Sequence, residues 1–180
     1  MTYQYNDGLE TDRLITRFLK ADDHNILVKM FENFENYRYF TFLHHLKTPN
    51  EKAHFWLEGG LKRYEDERYG LQWLIDKQTG EYVGQCGLLL QDIDEKNELE
   101  VGYSLFMKYW GLGYATEAAK AFHAHGLKTT DANSIISIID IDNIPSQKVA
   151  MANNMTRDKQ VTWMNMNVGI YRGPNRSQKS

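Results

Sequence analysis

Cysteine is nearly missing from this chain. Cys86 is the one example in 180 residues, so no internal disulfide framework can form and a reducing compartment fits. Cys86 falls in a predicted strand and reads as a small buried hydrophobe rather than a nucleophile. Long apolar runs are missing too. The longest, Gly87-Leu-Leu-Leu90, is far too short to span a bilayer. The opening Met-Thr-Tyr-Gln-Tyr-Asn-Asp lacks the charged-then-apolar order of a secretory signal. Neither sign of charge dominates: 21 basic residues against 24 acidic leave a net charge of −3, and the basic residues are scattered. That balance speaks against a nucleic-acid or membrane partner. Six histidines include no H-E-x-x-H and have no cysteine to pair with, so no metal site is expected. Repeats and low-complexity blocks are absent. What remains is a cytoplasmic globular protein, long enough for a proper core, with one domain over 1–172 and a polar tail over 173–180.

What is present centres on Lys108-Tyr-Trp-Gly-Leu-Gly-Tyr-Ala-Thr-Glu-Ala118. Upstream, residues 98–106 alternate as a strand does. Leu99, Val101, Tyr103 and Leu105 fall on one face, with Glu98, Glu100, Gly102 and Ser104 on the other. Downstream, Ala115, Ala118, Ala119 and Phe122 recur at helical spacing. A strand therefore feeds a glycine turn that opens a helix. Gly111 and Gly113 let backbone N–H groups approach a ligand, with the helix N-terminus behind them, which suits a phosphate or pyrophosphate. A P-loop reading fails because no lysine follows Gly113 at the required offset. A dinucleotide-binding turn fits poorly, because Thr116 takes the third glycine position and the preceding strand alternates instead of being apolar throughout.

Along the rest of the chain the pattern predicts a strand at about 13–18, a helix at 22–34 started by Asp22 or Asp23, and an aromatic segment from Tyr37 to Phe42. Thr48-Pro-Asn-Glu51 is a capping box with proline at the first helical position, so a helix runs from Pro49 to about Arg68. Gly59 and Gly60 each weaken it by about 1 kcal/mol relative to alanine. Residues 71–76 and 82–91 read as a hairpin, followed by an acidic loop over 92–97. The glycine-turn helix runs to about Leu127, and 134–140 is β-branched and strand-like. A short helix at 146–152 ends at Asn153-Asn154, where asparagine can take the left-handed cap position. Strands at 159–164 and 167–172 close the chain. The class is α+β: a mixed, mostly antiparallel sheet with helices on both faces.

Several segments resemble one family. Gly111 and Gly113 match the Arg/Gln-x-x-Gly-x-Gly/Ala turn of the GNAT acyltransferases, with Lys108 where arginine or glutamine is usual. Leu9-Glu-Thr-Asp-Arg-Leu-Ile-Thr-Arg17 is similar to the opening strand of the branch containing the ribosomal-protein alanine N-acetyltransferases. Tyr82-Val-Gly-Gln-Cys-Gly-Leu88 resembles that branch's third strand. Asp142-Asn-Ile-Pro-Ser-Gln-Lys-Val149 resembles its N-x-x-S segment, and Ala152-Asn-Asn-Met155 its K-N-G-M. The resemblance covers about residues 9–172.

The resemblance implies a GNAT-like fold whose fourth and fifth strands splay apart, with acetyl-coenzyme A as cosubstrate and its pantetheine in the gap. Backbone N–H groups around Tyr103, Ser104 and Leu105 would hold the thioester carbonyl. Lys108, Trp110, Gly111, Leu112, Gly113, Tyr114, Ala115 and Thr116 would surround the pyrophosphate. Asn143, with Ser146 beside it, would bond the pantetheine amide, unless Asn143 is a plain helix cap. Gly102 either makes a bulge or makes room for a neighbouring side chain. An amine is largely protonated at neutral pH, so a general base is useful. Glu100 is the first candidate and Glu98 the second, and both could instead be solvated strand residues. The leaving thiolate has a reference pKa near ~8.5 and needs little help from an acid. Family members often carry a tyrosine for that role where this chain has Ala150, which leaves Ser146 as a substitute by proximity. His44, His45 and His54 lie near the expected acceptor mouth, and Tyr37–Phe42 is either core or acceptor wall. The expected activity is N-acetylation of a primary amine, a peptide N-terminus or small molecule, by a monomer or homodimer. A coenzyme-A-binding sensor without catalysis is the alternative.

Overall fold

The computed structural model describes residues 6–175. Eleven regular elements follow one another: β1 (Leu14–Phe18), α1 (His24–Phe31), α2 (Pro49–Glu65), β2 (Leu71–Asp76), β3 (Tyr82–Ile93), β4 (Lys96–Leu105), α3 (Tyr114–Thr129), β5 (Ile136–Asp140), α4 (Ile144–Ala152), β6 (Thr156–Trp163) and β7 (Met166–Arg172). The strands form one sheet in the order β1-β2-β3-β4-β5-β7-β6. All neighbours are antiparallel except β4 and β5, which run parallel and share a single register pair, Glu100 with Ile136. The α+β class and the parted fourth and fifth strands are as the sequence implied.

Strand alternation sorts the core into two layers. Leu74, Cys86, Leu88, Val101 and Leu105 pack against Ala118 and Phe122 of α3. On the opposite face, Trp73 packs with Leu27, Met30 and Phe31 of α1 and Leu57 of α2. Cys86 is fully buried, and burial pushes its thiol up, so it remains a protonated packing group. The Thr48 box forms as expected: Thr48 Oγ1 accepts from Glu51 N at 3.1 Å, and Glu51 Oε2 accepts from Thr48 N at 3.1 Å. Gly60 in α2 faces Leu19, whose Cδ2 would lie 3.2 Å from an added Cβ, whereas Gly59 faces open space.

Three boundaries differ from the sequence reading. The expected 22–34 helix is a 3-10 turn over Ala21–Asp23, then α1, then a second 3-10 turn over Phe34–Asn36. Asp23 makes no cap bond to α1, because its carboxylate is taken by Arg17 at 2.6 and 2.8 Å and by the Trp73 indole at 2.9 Å. The expected acidic loop over 92–97 is a tight hairpin, with only Asp94 (φ 52) and Glu95 (φ 63) outside the strands. Both adopt left-handed backbone without a glycine to announce it. The last hairpin is likewise longer than expected, turning at Met164 (φ 47) and Asn165 (φ 61). Of the 173–180 tail, residues 176–180 lie outside the described residues.

Candidate functional site

The site grows from the end of β4. Phe106 N donates to Val83 O at 3.0 Å, so backbone alternation sends the N–H of Ser104 toward β3 and those of Tyr103 and Leu105 toward β5. Ser104 is therefore corrected out of the expected N–H trio. On the β5 side the ladder breaks after Glu100. Val101 O accepts from the Ser137 hydroxyl at 2.9 Å, and Leu105 O accepts from the Trp110 indole at 2.9 Å. Side-chain donors have replaced strand pairing, and a gap opens along Tyr103. Gly102 makes no bulge: the β3–β4 register is unbroken from Gly84 with Leu105 to Ile93 with Lys96. A Cβ there would come within 3.2 Å of Leu89 Cδ1, so Gly102 makes room for a neighbour.

Beyond Leu105 a 3-10 turn over Met107–Tyr109 leads into Gly111 (φ 73) and Gly113 (φ 84), and α3 begins at Tyr114. The first intrahelical bond, Glu117 N to Gly113 O at 3.0 Å, leaves the N–H groups of Tyr114, Ala115 and Thr116 without helical acceptors. Gly111 faces open space, so the backbone angle alone requires glycine there. Gly113 has Arg13 Nη2 only 3.3 Å from where a Cβ would sit.

Arg13 was not a candidate on sequence, yet it organises this turn. Its Nε meets Glu117 Oε2 at 2.7 Å, its Nη1 donates to Leu112 O at 2.9 Å, and its guanidinium lies 4.1 Å over the Tyr114 ring. Burial raises the Glu117 pKa, but bonds from Thr11 and Arg13 outweigh it and hold the carboxylate below its ordinary range. Lys108 points to Glu81, with its Nζ 3.3 Å from Oε1, and Tyr109 donates to the other oxygen at 2.5 Å. Arg13 and Lys108 thus each carry an anion of their own. Backbone N–H groups and the helix dipole, rather than a surplus of positive charge, make the turn attractive to phosphate.

On the far side of the gap, Asn143 caps α4: its Oδ1 accepts from Ser146 N at 3.2 Å. Ser146 lies in the first turn, and its carbonyl accepts the Tyr103 hydroxyl at 2.9 Å, tying β4 to α4. Burial pushes the Tyr103 phenol up, so it acts as a donor. Ala150 is buried at 1% exposure. The segment 33–46 is tied to both sides of the gap. Asn36 Oδ1 accepts from Met107 N at 2.8 Å, and the Tyr39 hydroxyl donates to Asp142 O at 3.1 Å. Its rings are partly wall and partly core: Phe42 stacks on Trp56 at 6.3 Å, and Phe40 meets the same indole at 5.3 Å. His54 points outward beside Glu58, and His44 and His45 are exposed.

The α1/α2 face of β3 and β4 carries the two carboxylates. Glu100 is 7% exposed; its Oε2 accepts from Gln91 Nε2 at 2.7 Å and its Oε1 from Ile138 N at 3.4 Å. Burial pushes its pKa up to about 6, against the bonds from Gln91 and Ile138. Glu98 is engaged differently, gripped by both Arg172 nitrogens at 2.8 and 3.1 Å. Gln85 on the same face was also missed. It is fully buried and its Oε1 accepts from Trp56 Nε1 at 2.8 Å, while its Nε2 has no partner among the described residues. An indole can only donate, which fixes the amide orientation.

A sheet parted at a parallel pair, running into a glycine turn beneath a helix N-terminus, is the acyltransferase architecture. The chain belongs to the GNAT acetyltransferases: residues 13–156 match the acetyltransferase (GNAT) domain. It is 30% identical to YkkB of Bacillus subtilis (strain 168) over 91% of this chain and 93% of that protein. Solved structures share the fold. An acetyltransferase from Agrobacterium tumefaciens str. C58 superposes with a TM-score of 0.74 at 21% identity, covering 96% of each chain. RimL, a ribosomal L7/L12 α-N-protein acetyltransferase solved with coenzyme A, gives 0.70 at 14% identity, covering 90% of this chain and 94% of that one. Among the described residues, no helix is long and apolar enough to cross a membrane.

Proposed function

We propose that this protein transfers an acetyl group from acetyl-coenzyme A to a primary amine in the cytosol, with an α-amino group preferred to a lysine side chain. The observation that carries the reading is the loss of β4–β5 pairing beyond Glu100, on the strand that leads into the glycine turn and the bare N–H groups of α3. The fit is chemical. Left-handed Gly111 and Gly113 and the N–H groups of Tyr114, Ala115 and Thr116 would take the pyrophosphate. The unpaired edge of β4, facing Asn143 and Ser146 of α4, would take the pantetheine. RimL's structure with coenzyme A supports the same choice of cosubstrate. Acetyl-coenzyme A supplies an acyl carbon joined to sulfur.

The chain's own groups then divide the work. The N–H groups of Tyr103 and Leu105 face the gap and would receive charge developing on the acyl oxygen. Glu100 sits at the last paired position before the strands part. With a pKa near about 6 it is ionised at neutral pH yet basic enough to accept the amine's proton, directly or through water. The amine nitrogen gains the acyl carbon, the carbon–sulfur bond breaks, its electrons leave with sulfur, and the amine's proton leaves through Glu100. Glu98 is held by Arg172 and has no part in this scheme. Ser146 is the hydroxyl nearest by sequence to the place of the missing tyrosine. An α-amino group has a pKa near ~7.7–8.0 against ~10.4 for lysine, so far more of it is free at neutral pH. The acidic Asp92–Glu98 stretch adds attraction for a cationic acceptor.

The test is a paired assay of coenzyme A release, using a peptide with a free N-terminus and an N-blocked, lysine-containing counterpart. Faster turnover of the free N-terminus is expected. Faster turnover of the blocked peptide overturns the acceptor preference. Tight acetyl-coenzyme A binding with no release in the presence of any amine would point to the sensor reading, which the bare Ala150 favours.

A further inference from the structure

Backbone pairing between β4 and β5 stops at Glu100, and side-chain bonds take over. From β5, Ser137 Oγ donates to Val101 O at 2.9 Å. Two residues further along β4, the Tyr103 hydroxyl reaches the first turn of α4 and donates to Ser146 O at 2.9 Å. The phenol thus extends from the part of β4 whose edge has lost its strand partner. Its ring packs on the α3-side cluster, which also takes Val149 and Ala150 from α4. Ala150 follows Ser146 by one helical turn, so the two share a face, and the Ala150 methyl brings no polar hydrogen to it. The facing strand supplies one instead.

Alternation along β4 separates the two halves of the reaction. Glu100 faces α1 and α2, and Tyr103, three residues on, faces α3 and α4. A coenzyme with its pyrophosphate on α3 and its pantetheine along Asn143 and Ser146 comes to the N–H groups of Tyr103 and Leu105 from the α3/α4 side. Its sulfur therefore lies on that side of the acyl carbon, and the amine arrives from the side of Glu100.

We propose that the Tyr103 hydroxyl is the hydrogen-bond donor to the sulfur that leaves. This rests on the acetyltransferase reading above and adds a catalytic residue to it. A thioether-like sulfur is a weak acceptor, so before reaction the hydroxyl stays on the Ser146 carbonyl. As nitrogen bonds to the acyl carbon and the carbon–sulfur bond breaks, the electron pair leaves with sulfur as a thiolate. A hydrogen bond to an ionised acceptor is roughly twice as strong as one to a neutral acceptor, so the hydroxyl turns from the carbonyl to the sulfur. A bond gained as the thiolate develops, and absent in the ground state, lowers the barrier. Tyr103 keeps its own proton, because burial pushes the phenol up. The thiolate takes a proton from solvent after it departs, as Glu100 returns the amine's proton to solvent. The groups that act most on the phenol are Cys86, Glu100 and Tyr171, none of them a cation that could serve the thiolate instead.

The experiment compares the wild type with Tyr103→Phe. Its first readout is the thiol of bound coenzyme A, followed through the ultraviolet absorbance of the thiolate as pH rises, with the S-methyl coenzyme A complex as blank. A hydrogen bond to a charged group should hold that thiol about one pKa unit lower in the wild type than in Tyr103→Phe. Loss of a merely structural tie between β4 and α4 would change affinity for coenzyme A without moving the thiol. The single-turnover rate of acetyl transfer should fall by about 10-fold or more in the variant, with affinity for acetyl-coenzyme A nearly unchanged. A rise in melting temperature on adding acetyl-coenzyme A shows that the variant is folded. If it is not, the wild type alone decides. Between about pH 7 and about pH 9.5 its affinity for coenzyme A should gain about 5-fold on its affinity for S-methyl coenzyme A, which has no thiol proton to lose. Equal thiol pKa values in the two proteins, or no gain over the S-methyl compound, overturn the assignment. Failure of the acetyltransferase reading looks different, because no amine then releases coenzyme A. The thiol measurement holds in that case too: a thiol raised in Tyr103→Phe keeps the hydroxyl at the sulfur, and an unmoved one refutes it.

Discussion

Glu100 joins stability to chemistry in one residue. Its folded pKa, near about 6, lies above the ordinary value of 4.5. The native state therefore holds a proton that the unfolded state releases, and stability falls as pH rises between those two values. Each pKa unit corresponds to about 1.4 kcal/mol, so the ionised, buried carboxylate costs about 2 kcal/mol at pH 8. Glu100→Gln should raise the melting temperature at pH 8, and the gain should disappear below pH 4.5. The same substitution should cut turnover by about 100-fold or more near neutral pH, with a smaller loss as pH rises and free amine accumulates. A variant that is stabilised but as fast as wild type would keep the buried-charge account and remove Glu100 as the base. Gly113 gives a second test at this scale. Valine there needs a left-handed backbone that β-branched residues avoid, and its Cβ would press on Arg13. Acetyl-coenzyme A should stabilise the wild type by mass action and leave Gly113→Val unmoved. Unchanged affinity in that variant would sink the phosphate-turn assignment.

At the scale of elements, how legible each piece was depended on where its determinants lie. The 98–106 strand, the glycine turn and the Thr48 box are written in local residues, and the chain adopts them. The Asp94–Glu95 turn left no such mark, because aspartate and glutamate there adopt positive φ without glycine, and the reading stopped both strands short. Arg13 and Gln85 were invisible for another reason. Arg13 acts on Glu117, 104 residues away, and Gln85 is meaningful only beneath Trp56. No window of sequence joins them. Asn143 was legible both as ligand and as cap, and the cap is what the geometry shows. Asn143→Ala should lower stability by about 1 kcal/mol through loss of the α4 cap. If the side chain also holds pantetheine, the variant should weaken acetyl-coenzyme A binding beyond what that stability loss explains, a difference that titration calorimetry reads. Equal affinity would leave Asn143 as a cap only.

At the scale of the whole molecule, the sheet is continuous except where β4 and β5 part, and everything assigned to chemistry borders that break. Helix α3 offers its N-terminus at one end, α4 lines the far side, and the segment 33–46 is tied across the mouth. Glu100 sits at the hinge of the two strands. The family and the fold follow from this arrangement together with the GNAT match. The measurement that bears most directly on the account is a time course of coenzyme A release, with the mass of the acceptor followed in parallel. From acetyl-coenzyme A and an α-amino acceptor, the account predicts one acetylated amine for each coenzyme A freed, and release that depends on the amine. Bound acetyl-coenzyme A that stays intact with every amine offered, or release without a gain of mass on the acceptor, would contradict it.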